Sequence, residues 1–456
     1  MNTSPSNLPA RLVIAGTHSG SGKTTIATGL MAAFSQIGLK VGSAKIGPDF
    51  IDPSYHCLAT STPGRNLDTW MCDEKQIPNL ALRASYGKDL LIIEGVMGLF
   101  DGGPDGISST AQISKLLNAP VVLVLDASGQ GSSIAASAWG FFNYDPQLNI
   151  AGVIVNKVKS QNHKQIIKEA LLSLGVKIFG FLEKDDQLIW RDRHLGLIPA
   201  LEQKEKVKRS IKNLAKKISQ SINLKDLLQA AKKAPLQLAQ LPLLPPKIGD
   251  VKIGVASGVA FSFVYQDNLD ALQAAGAQII TFNPLNDERL PPDIDALYIG
   301  GGFPEVFGKQ LSNNKALLAH TKEKLAQGLP TWAECGGMLW LANSLDDVSL
   351  CGVIDTKATM TKKLTLGYIK AQTKHLSPLG KAGLELKGHE FHYSHLEPPG
   401  SDLVLNTRYG QKTEGFITDS LFASYLHIHL GSNFLPAQNF VSSAIAFSNR
   451  HKRKLK

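Results

Sequence analysis

The sequence predicts an α/β fold built as two doubly wound domains in tandem, and three observations predict it. Short runs that are apolar throughout recur between helical stretches, the pattern of parallel strands covered on both faces. A glycine-rich loop ending in Gly-Lys-Thr follows the first of these runs. At residues 234–250, APLQLAQLPLLPPKIGD, four prolines interrupt helical and strand periodicity alike, after which the rhythm restarts. With 456 residues the chain has room for two or three domains of roughly 100–200 residues. The expected division is 1–233, a linker at 234–250, and 251–456. Strands are expected at 11–15, 41–46, 90–95, 121–126, 151–156 and 177–181, then at 251–256, 277–282, 296–300 and 330–333.

Composition narrows the function classes. Hydrophobic residues make up 43% and charged ones 19%, which excludes wholesale disorder. No apolar run is long enough to cross a bilayer, and the opening MNTSPSNLPAR lacks the apolar core of a signal peptide. A cytoplasmic protein without membrane contact is expected. Cys57, Cys72, Cys335 and Cys351 show no paired short spacing, so neither a disulfide framework nor a zinc site is indicated. The net charge of +10 admits nucleic acid, an anionic surface or a polyanionic small molecule. Part of the basic excess lies at 202–217 and 450–456, read as a solvated helix face and a tail. No RNP-type aromatics or Cys/His finger accompany it, so nucleic acid is not expected.

In the first half, the strand at 11–15 runs into Gly16-Thr17-His18-Ser19-Gly20-Ser21-Gly22-Lys23-Thr24-Thr25 and then a helix. Glycines let backbone N–H groups turn inward around phosphate, and the helix start adds positive potential. Lys23 reaches the terminal phosphates and Thr24 offers a hydroxyl to Mg²⁺. Thr17, Gly20, Ser21, Gly22 and Thr25 complete the expected nucleotide loop. Strict phosphate-loop spacing wants glycine at position 17; here Gly16 lies one residue earlier. That displaced glycine resembles the loop of dethiobiotin synthetase and its relatives, which use ATP to activate a carboxylate. His18 stands where partition-type ATPases carry an extra lysine.

Glu94 closes a buried strand and is positioned to hold Mg²⁺ directly or through water. The segment 45–53, KIGPDFIDP, brings Lys45, Asp49 and Asp52 to a loop facing the same crevice. Asn156-Lys157-Val158-Lys159 begins like the guanine-reading Asn-Lys-x-Asp, but Lys159 replaces the aspartate. Adenine is therefore the expected base, with Asn156 as its candidate contact.

In the second half, the strand at 296–300 enters Gly300-Gly301-Gly302-Phe303-Pro304-Glu305, whose backbone N–H groups can approach an oxyanion. The strand at 330–333 enters Glu334-Cys335-Gly336-Gly337 and a helix, a cysteine version of the nucleophile elbow. Residues 423–429, ASYLHIH, read as one alternating strand with His427 and His429 on one face, either able to serve Cys335 as base. This ordered set resembles the class I glutamine amidotransferase domain, which releases ammonia from glutamine through a cysteinyl thioester. The usual His-Pro-Glu ending is absent, so no orienting glutamate can be assigned; His427 matches the motif histidine. The string at 388–395, GHEFHYSH, has three histidines without zinc-helix spacing.

GTHSGSGKTT, KIGPDFIDP, EGVMGLFDG, GGGFPE, AECGGM, GHEFHYS and SYLHIH occur in one order along nearly the whole chain. In that order they resemble the cobyrinic acid a,c-diamide synthase family. The resemblance implies an ATP- and Mg²⁺-dependent, glutamine-hydrolysing ligase acting on a corrinoid or related tetrapyrrole polycarboxylate. It implies Cys335 as nucleophile, His427 as base with His429 in reserve, and the amides of Gly302 and Gly336 as oxyanion donors. Lys23 and its loop would take the phosphates, Thr24 and Glu94 the metal. Asp49 and Asp101 would order the substrate carboxylate, the acyl phosphate or the metal. A homodimer is a candidate assembly. Relatives acting on hydrogenobyrinate or nickel-sirohydrochlorin share these motifs. A P-loop ATPase switch with a degenerate amidotransferase domain is the alternative of a different class.

Overall fold

A computed structural model describes residues 4–184 and 204–454, which form two compact units. One unit holds the described residues up to Thr69 together with Asp73–Pro242. The other holds Trp70–Cys72 and the described residues from Leu243 onward.

The first unit is a seven-stranded sheet. Across it run Arg65–Leu67, Val41–Ile46, Leu90–Glu94, Ala10–Gly16, Val121–Asp126, Ile150–Val158 and Ile178–Glu183, every neighbouring pair parallel. Leu12, Val13, Ile14, Ile92, Ile93, Val122 and Leu123 are fully buried, which is why these strands carry no polar alternation. Ala10–Gly16 lies mid-sheet with its carboxyl end at the point where strand order diverges, the usual place for a ligand crevice.

Helix Lys204–Ser221 carries the basic segment, and only one of its faces is solvated. Ile211, Leu214, Ala215 and Ile218 are buried against helix Lys23–Gln36. There Gly29 leaves so little room that a Cβ would sit 2.6 Å from Ile218 Cγ1. Residues 202–203 and 455–456, at the ends of the two segments named for the basic excess, lie outside the described residues.

The proline-rich stretch is a free connector in part only. Its first residues are bound into the first unit: buried Arg11 donates through Nη2 to Pro235 O at 2.8 Å, and Gln237 Nε2 to Leu116 O at 2.8 Å. Leu238–Ala239 also pairs antiparallel with Ser6–Asn7.

The second unit has two sheets. In the first, Ala277–Phe282, Val251–Ala256, Ala296–Ile299, Thr331–Glu334 and Leu421–Ser424 are parallel, and Phe416–Thr418 is antiparallel at the edge. The other sheet was not anticipated from sequence. Ile354–Thr373 and Glu385–Glu397 form a long antiparallel pair, flanked by Ala342–Leu345, Val348–Ser349, Leu403–Thr407, Gly410–Glu414 and the two-residue strand His427–Ile428. A doubly wound reading thus covers the parallel sheet alone. No helix among the described residues is long and apolar enough to cross a membrane.

Candidate functional site

The phosphate loop joins Gly16 to the helix that starts at Lys23. Gly22 adopts φ 95° and lies against Asn156, so a Cβ there would overlap Asn156 Nδ2. No side chain caps the helix, leaving its first-turn N–H groups for an anion. The strand after Val121–Asp126 braces the loop from outside: Asn156 Nδ2 donates to Ser21 O at 3.0 Å and Lys157 Nζ to Gly20 O at 2.8 Å. Lys23 is buried with its Nζ 3.2 Å from His18 O. Burial, helped by the neighbouring Lys45 charge, pushes its ammonium down to about 8.

Behind the loop sits a buried polar cluster. Glu94 Oε1 accepts from Thr24 Oγ1 at 2.6 Å and from Lys45 Nζ at 3.0 Å, while its Oε2 lies 2.7 Å from His56 Nε2. Asp52 Oδ2 lies 2.7 Å from Lys45 Nζ and 3.3 Å from Thr24 Oγ1. Burial opposes the Glu94 charge, but Lys45 and His56 outweigh it and hold the carboxyl below the usual range. Lys45 is driven up by Asp52 and Glu94 despite its burial, and Asp52 is pushed up by burial and its acidic neighbours. Three hard oxygen donors, from Thr24, Asp52 and Glu94, converge beside the phosphate loop, a donor set that fits Mg²⁺.

In the second unit, Cys335 follows strand Thr331–Glu334 with φ 47° and ψ −107°, and helix Gly336–Leu341 begins directly after it. A non-glycine residue in that conformation is held under strain by its surroundings. Its N–H donates to Ser424 O at 2.7 Å, and its Sγ lies 3.9 Å from Phe391 O. Burial pushes the thiol up, with the Glu305 charge adding to it. The glycine loop closes on this elbow: a Cβ on Gly336 would stand 3.0 Å from Gly302 N and 2.9 Å from Pro304 Cδ. A Cβ on Gly302 would overlap Ala260 O, and one on Gly301 would overlap His427 Cε1. The imidazole of His427 and the Gly302 N–H therefore belong to one cradle. Burial pushes His427 down to about 3, so thiol and imidazole rest uncharged.

Two family models match the chain, one in each half. Residues 12–198 match the CobQ/CobB/MinD/ParA nucleotide binding domain, and residues 252–434 match the CobB/CobQ-like glutamine amidotransferase domain. A Cobyrinate a,c-diamide synthase of Caldanaerobacter subterraneus subsp. tengcongensis is 40% identical, over 96% of this chain and 99% of its own. The chain belongs to the cobyrinate a,c-diamide synthase family. A Hydrogenobyrinate a,c-diamide synthase of Streptomyces coelicolor is also 40% identical, over 94% of this chain and 96% of its own. A Cobyrinate a,c-diamide synthase of Priestia megaterium is 38% identical, over 96% and 97%.

On this family member the expected residues fall into distinct positions. Thr17, Gly20, Ser21, Gly22, Lys23, Thr24 and Thr25 occupy the loop and the helix start, with Thr17 Oγ1 2.9 Å from His18 Nδ1. Asp101 accepts from Gly98 N at 2.8 Å, and its charge acts on Lys23. Asp49 shapes its own turn, accepting from Ile51 N at 2.8 Å and Asp52 N at 3.0 Å; Asp52, the other acid of that segment, meets Thr24. The amide nitrogen of Asn156, expected at the base, is used on the loop backbone.

The single strand expected over 423–429 is broken. Leu421–Ser424 pairs in the parallel sheet, whereas His427–Ile428 pairs with Gly388 and His389 in the antiparallel one. The chain changes sheets at Tyr425 because Glu414 receives the Ser424 hydroxyl and Glu334 accepts from Ile428 N at 3.0 Å. His427 and His429 consequently separate. His429 lies 3.2 Å from Cys72 Sγ and 3.7 Å from Asp267, while His427 stacks on His389 at 4.9 Å between ring centres.

Lys45 and Asp52 stand in KIGPDFIDP without any spacing that singles them out, and His56 carried no sequence signal. Its role depends on helix Asp52–Thr60 turning it toward Glu94. Burial raises Glu334 and Glu414 to about 8, and the two carboxyls brace the two sides of the elbow.

Proposed function

We propose that this chain converts the a and c acetate carboxylates of cobyrinate to amides, using ATP and the amide nitrogen of glutamine. A carboxylate is a poor electrophile at neutral pH. The proposed first step is attack of a substrate carboxylate oxygen on the terminal phosphorus of ATP, breaking the bond to the ADP oxygen. Ammonia then attacks the acyl carbon and phosphate leaves, giving the amide after loss of a proton. Lys23 and the loop N–H groups bind the phosphates and meet charge as it develops. Thr24, Asp52 and Glu94 would hold Mg²⁺, which neutralises phosphate charge when bound. Lys45 keeps the acids of that cluster ordered, and Asp101 lines the same crevice.

Ammonia comes from the other unit in this reading. Cys335 Sγ attacks the glutamine carboxamide carbon, His427 takes the thiol proton and passes it to the leaving nitrogen, and water hydrolyses the thioester to glutamate. The N–H groups of Gly302 and Gly336 take the tetrahedral oxyanion. The observation that carries the reading is the strained Cys335 elbow against the Gly302 loop, in the same chain as an uncapped phosphate loop backed by Thr24 and Glu94.

Cys335→Ala tests it. Amidation driven by glutamine should disappear, while amidation driven by ammonium salts should continue; loss of both would contradict two separate centres. Hydrogenobyrinate is the second candidate substrate, favoured by the Streptomyces relative at equal identity. Competition between the two macrocycles for one preparation decides between them.

A further inference from the structure

Of the sequence motifs, GHEFHYS at 388–394 is the one whose side chains neither reaction above employs. It lies in strand Glu385–Glu397, where Gly388 pairs with Ile428 and His389 with His427. Residues paired in this way share a face of the sheet. The His389 and His427 rings stack with centres 4.9 Å apart and planes 19° from parallel. Gly388 makes the approach possible, because a Cβ there would overlap His427 O. Gly301 meets the same imidazole at Cε1, where a Cβ would overlap it. The base therefore has a fitted seat, and His389 forms its flat wall.

His389 is itself held in place. It is buried, and so is Tyr265, which precedes helix Gln266–Ala275. The Tyr265 hydroxyl lies 3.4 Å from His389 Nδ1, and its ring meets the imidazole edge-on at 6.2 Å between centres. Tyr368 stands beside His389 in register on the next strand. Burial, with the His427 and His429 charges adding to it, holds His389 well below the usual histidine range, so it rests uncharged.

The His-Pro-Glu ending of class I domains would place a glutamate two residues after the base. That position is His429, which faces Cys72 Sγ at 3.2 Å and Asp267 at 3.7 Å. A base free to swing about its side-chain bonds loses the geometry on which proton transfer depends. A ring packed on its face restrains it as a carboxylate does from its edge. An uncharged aromatic face also tolerates the imidazolium formed when His427 takes the thiol proton.

We propose that His389 is the positioning residue of the glutaminase centre: its ring, anchored on Tyr265, fixes the His427 imidazole against rotation, the task an orienting carboxylate performs in class I domains. The assignment deepens the glutaminase reading above and rests on it. The role is one of shape, so a flat ring without nitrogens can take it over.

Variants of the full chain test this. His389→Ala should lower glutaminase kcat about 10²-fold, with KM for glutamine within about threefold of native. His389→Phe should recover most of that loss, to within about tenfold of native, and keep the native pH profile of kcat/KM. Tyr265→Phe, which removes the hydroxyl at His389 Nδ1, should cost about threefold to tenfold in kcat. The ¹³Cε1 resonance of His427, assigned by its disappearance in His427→Gln, gives a reading independent of turnover. It should be single and sharp in the native protein and in His389→Phe, and broadened or divided in His389→Ala. If the other histidine signals also move in His389→Ala, His389→Phe decides. A His389→Phe variant as slow as His389→Ala would overturn the proposal, as would an unchanged kcat and His427 signal in His389→Ala. A native protein with no glutaminase activity would overturn the reading beneath it and the assignment together.

Discussion

Lys23 and Lys45 show how burial sorts two lysines that lie close together. Lys45 has Glu94 and Asp52 as partners and stays charged, whereas Lys23 faces the crevice and is pushed down to about 8. Phosphate binding restores the Lys23 charge, so its pKa rises on binding and ATP association takes up a proton around pH 8 to 9. ATP affinity should then be fully present below pH 8 and fall as pH rises through it. Calorimetry in buffers of different ionisation enthalpy would measure the proton directly. Uptake that is absent at pH 8.5 would contradict this account of Lys23. Lys45→Met leaves Glu94 and Asp52 as uncompensated buried acids, and should cost about 3–5 kcal/mol in urea unfolding. A loss under about 1 kcal/mol would mean that the cluster relaxes without its cation.

Motif residues were legible because backbone chemistry dictates them. Gly22 and Gly302 stand where a Cβ has no room, Lys23 and Thr24 follow Gly22 directly, and Cys335 directly precedes Gly336. Residues whose roles come from tertiary approach were not legible. His56 reaches Glu94 across 38 residues of sequence, and Glu334 holds Ile428 across 94. Neither pairing leaves a spacing in the chain.

At the scale of elements, the parallel strands were read nearly to the residue, since strands buried on both faces are apolar without interruption. Val41–Ile46, Val121–Asp126, Val251–Ala256 and Ala277–Phe282 fall where they were expected. The antiparallel sheet was missed for the converse reason. Ile354–Thr373 alternates buried and exposed positions at its ends but has no fully buried position through its middle, where its register with Glu385–Glu397 slips between Met360 and Thr365. Such a strand looks like polar loop in sequence. The same sheet captures His427 and separates it from His429, which a period-two reading of ASYLHIH cannot foresee.

Packing of the basic helix is also testable. Leu214 is fully buried between Lys204–Ser221 and Lys23–Gln36, and Leu214→Ala should destabilise the first unit by roughly 2–5 kcal/mol. A change near zero would mean that the basic helix is not part of the core. In the second unit, Gly302→Ala drives a methyl into Ala260 O and displaces the N–H proposed to take the oxyanion. Glutaminase kcat should fall on the order of 10²-fold or more, with ammonium-driven amidation continuing. An unchanged kcat would remove Gly302 from the cradle.

For the whole molecule, the account depends on two chemistries being borne by one chain. The positive net charge of +10 suits a substrate with many carboxylates, and each unit has its own buried core and its own polar centre. Neither centre explains the other: a glutaminase has no need of a phosphate loop, and an ATP-dependent ligase can use free ammonia. Their joint requirement is the central claim. The measurement that tests it most directly is mass spectrometry of cobyrinate incubated with the purified protein, ATP, Mg²⁺ and glutamine labelled with ¹⁵N in its amide, in the presence of unlabelled ammonium at trace level. The account predicts two successive exchanges of carboxyl OH for ¹⁵NH₂, mapped to the a and c acetates, each accompanied by one ATP hydrolysed. Glutamine and ATP consumed with no amide formed on cobyrinate or hydrogenobyrinate would contradict it.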